Sequence, residues 1–328
     1  MIKPFLVGVN EANRNWKMIL ALLAANLLLS LPVVVPVFLL IVFTSGGTLA
    51  ADRLFADKLD VLWFIDVLNQ QFPGAALETA LAQVGSLLAV MGVVYLFLNT
   101  FFAGAIIGVF NSVDGRFTMR KFGGEGAAYF WRFFRLLLIS LFFYAAAFGV
   151  YLLARWPIDN AAEKASAFES VVYKRWAAMA LLALLWMFVN MVFDYAKIAT
   201  VVNDSKGMFR ETFRALRFAF KNFFGAFGLY LLIALVGLGV FLVFNSLRWN
   251  VNQSSAIGVF LAIALGQLAI AGRMWNRLVF YAAELSFYKK LAPARGIAQA
   301  VVESQLEFAR AEAPEAPETL DAPDALAR

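Results

Sequence analysis

The sequence predicts an all-α, polytopic bundle of six transmembrane helices. Three observations carry that expectation. The 328 residues are 62% hydrophobic and only 15% charged, with a mean hydropathy of +0.75, whereas a soluble domain is roughly half apolar and about a quarter charged. Six uncharged runs approach or exceed the roughly 20 residues that a spanning helix needs. Finally, Lys and Arg alternate from one connection to the next, 21 on one set and 7 on the other.

The runs lie between Lys17 and Asp52 (34 residues), Glu78 and Asp114 (35), Arg135 and Arg155 (19), Arg175 and Asp194 (18), Lys221 and Arg248 (26), and Arg248 and Arg273 (24). In hydrocarbon each backbone N–H and C=O must be satisfied within its own segment, so the runs are expected as helices. The spans are placed at 18–44, 79–110, 132–154, 175–200, 222–246 and 255–285, with the last running on as a helix toward Lys289 and Lys290. The first is too long for a signal-peptide core and lacks a small-residue cleavage site, so it is expected to be retained. The chain divides into a basic N-terminal segment (1–17), a six-span domain (18–290) and a tail (291–328).

The Lys/Arg-rich set comprises the N-terminal segment, the second and fourth connections and the C-terminal side. The positive-inside rule therefore predicts that both termini are cytoplasmic. The first connection is expected to be external. Its stretch 51–70 sets Phe55, Leu59, Leu62 and Ile65 at helical spacing, with Asp52, Asp57, Asp60 and Asp66 largely elsewhere. That pattern reads as an amphipathic helix on the membrane face. The third connection, 156–174, is a shorter polar version, and the fifth, 245–255, a tight Asn- and Ser-rich link. Residues 311–328 are Ala, Pro, Glu and Asp with almost no large apolar side chain, and are expected to be disordered. Glu125, within Gly123-Gly-Glu-Gly, is expected in a flexible turn.

The segment 208–222 alternates basic and aromatic residues. Arg210, Arg214, Arg217 and Lys221 form a positive stripe at helical spacing, with Phe209, Phe213, Leu216 and Phe220 on another side. These four cations are the candidates for contact with anionic headgroups of the cytoplasmic leaflet, at about 1 kcal/mol each. Setting the topology and anchoring the interface is the plainer reading, and RNA binding is not expected.

Three spans end alike: Asn99-Thr-Phe-Phe-Ala-Gly-Ala-Ile, Asn190-Met-Val-Phe-Asp-Tyr-Ala-Lys and Arg277-Leu-Val-Phe-Tyr-Ala-Ala-Glu, with Phe102, Phe193 and Phe280 matched. Spans one, three and five are each entered through a basic, aromatic approach. The chain parses as three repeated helical hairpins. Such repetition is common in transporters, though three parallel copies are not the inverted pair of alternating access.

Ionisable side chains inside spans are costly, by about 2.5–3.5 kcal/mol at the helix centre. Asp194 and Lys197 share a helix face, as do Arg273 and Arg277, and Glu284 follows two turns later. With Asn190 they are the candidate binding residues, either as interhelical ion pairs or as a cavity for an anion, a proton or a headgroup. Asn26, Ser30, Gln83, Ser86, Asn99 and Gln267 are expected to hydrogen-bond between helices. Gly85, Gly92, Gly104 and Gly108 are expected to let span two approach a neighbour, and Pro32 and Pro36 to kink span one. With no Cys and no His, thiol and imidazole chemistry are excluded. No catalytic constellation, metal-ligand spacing or nucleotide loop is present, so no catalytic residue, metal or cofactor is expected.

The run Phe193-Asp-Tyr-Ala-Lys-Ile-Ala, the polar Asn203-Asp204 turn and the basic helix leading into Gly225-Ala-Phe-Gly-Leu-Tyr-Leu-Leu resemble a broad group of bacterial six-helix inner-membrane proteins without an assigned role. That group is related to the membrane domain of glycerophosphodiester phosphodiesterases. The resemblance covers residues 80–290 and implies a helical bundle in the bacterial inner (plasma) membrane. It brings no catalytic residues, and the soluble phosphodiesterase domain is not found in this sequence. The leading expectation is a non-enzymatic, transporter-like or lipid-interacting bundle. The alternatives are a scaffold or accessory subunit bound to another membrane protein, and an enzyme acting on lipids or phosphodiesters. The bilayer with its anionic headgroups is the expected partner, and nucleic acid is not.

Overall fold

A computed structural model describes residues 2–45, 75–162, 168–251 and 255–292. Among these residues the chain is all-α: α1 (Ile2–Arg14), α2 (Trp16–Ser45), α3 (Ala75–Asn111), α4 (Met119–Ala162), α5 (Phe168–Val202), α6 (Met208–Lys221), α7 (Phe223–Trp249) and α8 (Ala256–Leu291). Six of them (α2, α3, α4, α5, α7 and α8) are long and apolar enough to cross a membrane, and the chain is a multi-pass membrane protein. The amphipathic helix expected over 51–70 and the tail 311–328 lie outside the described residues.

The three hairpins pack as three inner and three outer helices. The second helix of each hairpin (α3, α5 and α8) touches the other two. Each first helix sits in a groove between two of them: α2 between α3 and α8, α4 between α3 and α5, α7 between α5 and α8. The approach segments close this arrangement into a ring. α6 packs on α5, and the start of α4 lies on α3, where Gly104 faces Tyr129 and Gly108 faces Glu125. α1 lies on α8, the inner helix of the last hairpin.

The N-terminal segment is thus a docked helix, a placement the sequence reading missed. Pro4, Gly8 and Ala12 form its buried stripe. A Cβ on Gly8 would stand 2.8 Å from the Val279 carbonyl oxygen and from the Ala283 Cβ, so glycine permits the close helix approach that small residues provide in membrane bundles. Trp275 donates its indole N–H to Asn13 Oδ1 at 2.8 Å. The buried Asn15 donates to the Glu11 and Gly115 carbonyls and accepts from the Phe117 N–H at 2.8 Å. Gly115, at φ +57°, supplies the left-handed turn there. Beside it, a hydrogen bond from Lys121 holds the exposed Asp114 carboxyl below its usual range.

Two expectations are corrected. Gly123–Gly126 is helical within α4, not a turn. Close packing on α3, with Gly126 against the Phe101 ring, overrides the roughly 1 kcal/mol per glycine that disfavours helix. Of the four glycines expected to admit a neighbour, Gly104 and Gly108 do, while Gly85 and Gly92 meet nothing among the described residues. α2 continues as helix through Pro32 and Pro36.

The core is concentrated at one end. The buried apolar cluster runs over α1, Phe102–Phe110 of α3, the start of α4, Met191–Val201 of α5, α6, the first turns of α7 and Met274–Tyr288 of α8. Tyr195, Phe218 and Tyr288 meet at its centre, with ring centroids 4.9–6.5 Å apart. At the other end large apolar side chains such as Leu28, Phe142, Leu153, Phe241 and Phe260 are exposed. Hydrocarbon solvates these as well as a protein interior would, so the spans have no hydrophobic drive to close there.

Candidate functional site

Where the packed end meets the open end, α3, α5, α7 and α8 line an open cavity of about 420 Å³. α3 contributes Tyr95 and Asn99, α5 Asn190 and Asp194, α7 Tyr230, and α8 Arg273, Asn276, Arg277 and Tyr281. Asn99, Asn190 and Arg277 are matched positions of the three repeats, so the repeat brings its polar residues to one centre. Tyr95 and Arg273 lie one turn earlier, and Asp194 and Tyr281 one turn later, at matched positions again.

The sequence-selected residues divide by place. Asn190, Asp194, Arg273 and Arg277 line the cavity. Lys197 does not; its Nζ donates to Asp194 Oδ1 at 2.9 Å from one turn along α5. Glu284 is fully buried off the lining, and neither carboxylate oxygen has a hydrogen-bond partner among the described residues. Its electrostatic neighbours are Asp194 and Lys197. The Tyr195 hydroxyl is likewise buried without a partner. Asn99, expected only to join helices, proves to be a lining residue, while Tyr95, Tyr230, Asn276 and Tyr281 went unnoticed. The repeat register was the available signal, since it sets Asn99 level with Asn190 and Arg277.

The charge balance of the cavity is decided by Lys197. It neutralises Asp194, the one acidic lining residue. Arg277 donates to the Asn99 carbonyl at 3.1 Å and lies 5.8 Å from the Tyr281 ring centroid. Neither Arg273 nor Arg277 forms an ion pair among the described residues. Two guanidiniums thus face the cavity with no carboxylate to balance them, beside the amides of Asn99, Asn190 and Asn276. Asn190 Oδ1 accepts from the Tyr144 hydroxyl at 2.5 Å, which turns its amide nitrogen free to donate. Guanidinium forks and amide N–H groups match the oxygens of a carboxylate or phosphate.

The basic stripe of α6 resolves differently. Arg214 is committed to Glu211, which is 1% exposed, reaching its two oxygens at 2.5 and 2.7 Å. Arg210, Arg217 and Lys221 are exposed, and they share the outer surface with Phe209, Phe213 and Phe220. Met208, Thr212, Ala215, Phe218 and Ala219 are buried with Glu211 on the inner face. Behind α6, the turn residue Asp204 sits in the left-handed region at φ +44° and pairs with Arg132. Among the described residues no three metal-ligating side chains gather. Compared with protein-family models, curated proteins and solved structures, the chain finds no match.

Proposed function

We propose that this chain is a non-enzymatic, transporter-like or lipid-interacting protein of a bacterial inner membrane that holds an anionic ligand between α3, α5 and α8. The observation that carries the reading is the pair Arg273 and Arg277, which line a polar cavity in an apolar bundle without a carboxylate partner among the described residues. Keeping two cations there is costly, and an anion would offset that cost. Asp194 is the one acid on the lining and is engaged by Lys197, so the cavity lacks the paired carboxylates of acid–base hydrolysis.

The 21-to-7 distribution of Lys and Arg supports a cytoplasmic position for both termini. The exposed aromatic and basic face of α6 suits the anionic inner leaflet at that side. The runs 193–199 and 225–232 support kinship with the bacterial six-helix group named above.

Native mass spectrometry of gently extracted protein tests the reading. Wild-type protein is expected to retain an anionic adduct, and an Arg273→Gln, Arg277→Gln double variant that keeps its helical content is expected to lose it. Equal adduct occupancy in the two proteins would overturn the assignment. Tags on the two ends are expected to report the same, cytoplasmic side.

A further inference from the structure

The cavity does not end at its polar lining. Arg273 also lines a groove of about 390 Å³ between α2 and α8, walled by Leu23, Leu27, Val34 and Ile270 with the polar Asn26, Ser30 and Gln267 among them, and Tyr95 belongs to both spaces. On the other side of α8, Arg273 and Asn276 line a second groove of about 400 Å³ against α7, walled by Ala234, Leu238, Phe241 and Ala269. Two mainly apolar grooves thus flank one helix and share the arginine at their common end.

Depth gives this geometry a meaning. Along α8, Arg273 lies about 24 Å from the far end of the span at Ile257, and Tyr230 lies about 29 Å from the end of α7 at Trp249, at 1.5 Å per residue. Asn99 lies about 26 Å from Ala82 along α3. The hydrocarbon core is about 30 Å thick. Measured from these three ends, the polar layer lies in the far half of a core of that thickness, toward the basic side of the bundle, and the grooves run from it back along the spans.

We infer that the ligand is an anionic phospholipid, its phosphate at Arg273 and Arg277 and its two acyl chains in the grooves on either side of α8. The inference rests on the anion-binding reading and adds the class of ligand. Asn276 extends it to the headgroup. Its side-chain oxygen is buried with no hydrogen-bond partner among the described residues, and it lines both the polar cavity and the α7 groove. An acceptor beside two cationic donors suits a headgroup that carries a hydroxyl as well as a phosphate. Gly237 faces this amide, and a Cβ there would collide with it.

The test compares phosphatidylglycerol with chain-free glycerol 3-phosphate, both measured on the full chain in nonionic detergent. Ser30→Trp obstructs the α2 groove and Ala269→Trp the α7 groove. Each is expected to weaken phosphatidylglycerol at least about tenfold, or about 1.4 kcal/mol, and to leave glycerol 3-phosphate unchanged. Arg273→Gln with Arg277→Gln is expected to weaken both probes. Should glycerol 3-phosphate bind as tightly as the lipid, and the tryptophan variants bind lipid normally, the phospholipid assignment falls and anion binding stands. Should the double glutamine variant bind both probes like wild type, both fall. A phosphatidylglycerol with a photoreactive group in mid-chain applies the same test to unaltered protein. Adducts are expected on α2, α7 and α8 facing the grooves, and adducts spread evenly over α4 and α5 would overturn the inference.

Discussion

The Lys197 ammonium lies 2.9 Å from the Asp194 carboxylate, one turn along α5, and this pairing gives the central cavity its cationic balance. Asp194→Asn would leave a largely sheltered ammonium without its counter-ion. The expected loss is about 1–3 kcal/mol, between an exposed pair and a fully buried one. Adding Lys197→Met should recover at least half of it. Unfolding in mixed micelles measures the cycle, and strictly additive losses would refute the coupling.

Gly8 is where α1 comes nearest to α8. Gly8→Val places methyl groups against the Val279 carbonyl and Ala283, and overpacking against backbone is expected to cost about 1–3 kcal/mol. Gly149 has open space around it. Gly149→Ala should therefore be neutral or stabilising, by up to about 1 kcal/mol. Thermal unfolding of the two variants in detergent checks the contrast.

Arg214 and Arg210 occupy one stripe in the sequence but different surroundings. Arg214→Ala strands the buried Glu211 carboxylate, at an expected cost of about 3 kcal/mol. Arg210 is exposed, and Arg210→Ala should stay within about 0.5 kcal/mol of wild type. Equal destabilisation by the two would contradict the division of α6 into an inner and an outer face.

Glu284 buries an acid whose two oxygens lack hydrogen-bond partners among the described residues. A neutral amide of the same shape avoids confining an unpartnered carboxylate, which costs several kcal/mol. Glu284→Gln is therefore expected to be at least as stable as wild type at neutral pH, whereas Glu284→Ala should lose about 2 kcal/mol to the space left behind. A glutamine variant that fails to assemble would show that the acid makes an essential interaction.

Much of the architecture was legible because lipid imposes it. Charge-free runs located the six spans, and the matched ends of three of them announced the hairpins. Asp194, Arg273 and Arg277 stood out because charge at membrane depth is rare. What stayed hidden depends on which helices become neighbours. Nothing local distinguishes Asn99 from Asn26, yet one lines the cavity and the other bonds to the Leu22 carbonyl and the Met274 sulfur. The Gly-Gly-Glu-Gly stretch misled because its helical state is imposed by α3. The docking of α1 was missed because the centre of its buried face is a row of small residues, Pro4, Gly8 and Ala12, beside only Phe5 and Val9.

The seating of α1 on α8 also fixes an order of events during biogenesis. Translation delivers the segment from Ile2 to Arg14 ahead of the six spans and delivers Val279 and Ala283 with the sixth of them, so α1 must wait for α8 to arrive. Until then the amide of Asn13 has no indole to receive, and the polar centre lacks both arginines. The nascent bundle therefore cannot present its central chamber before α8 has joined α3 and α5.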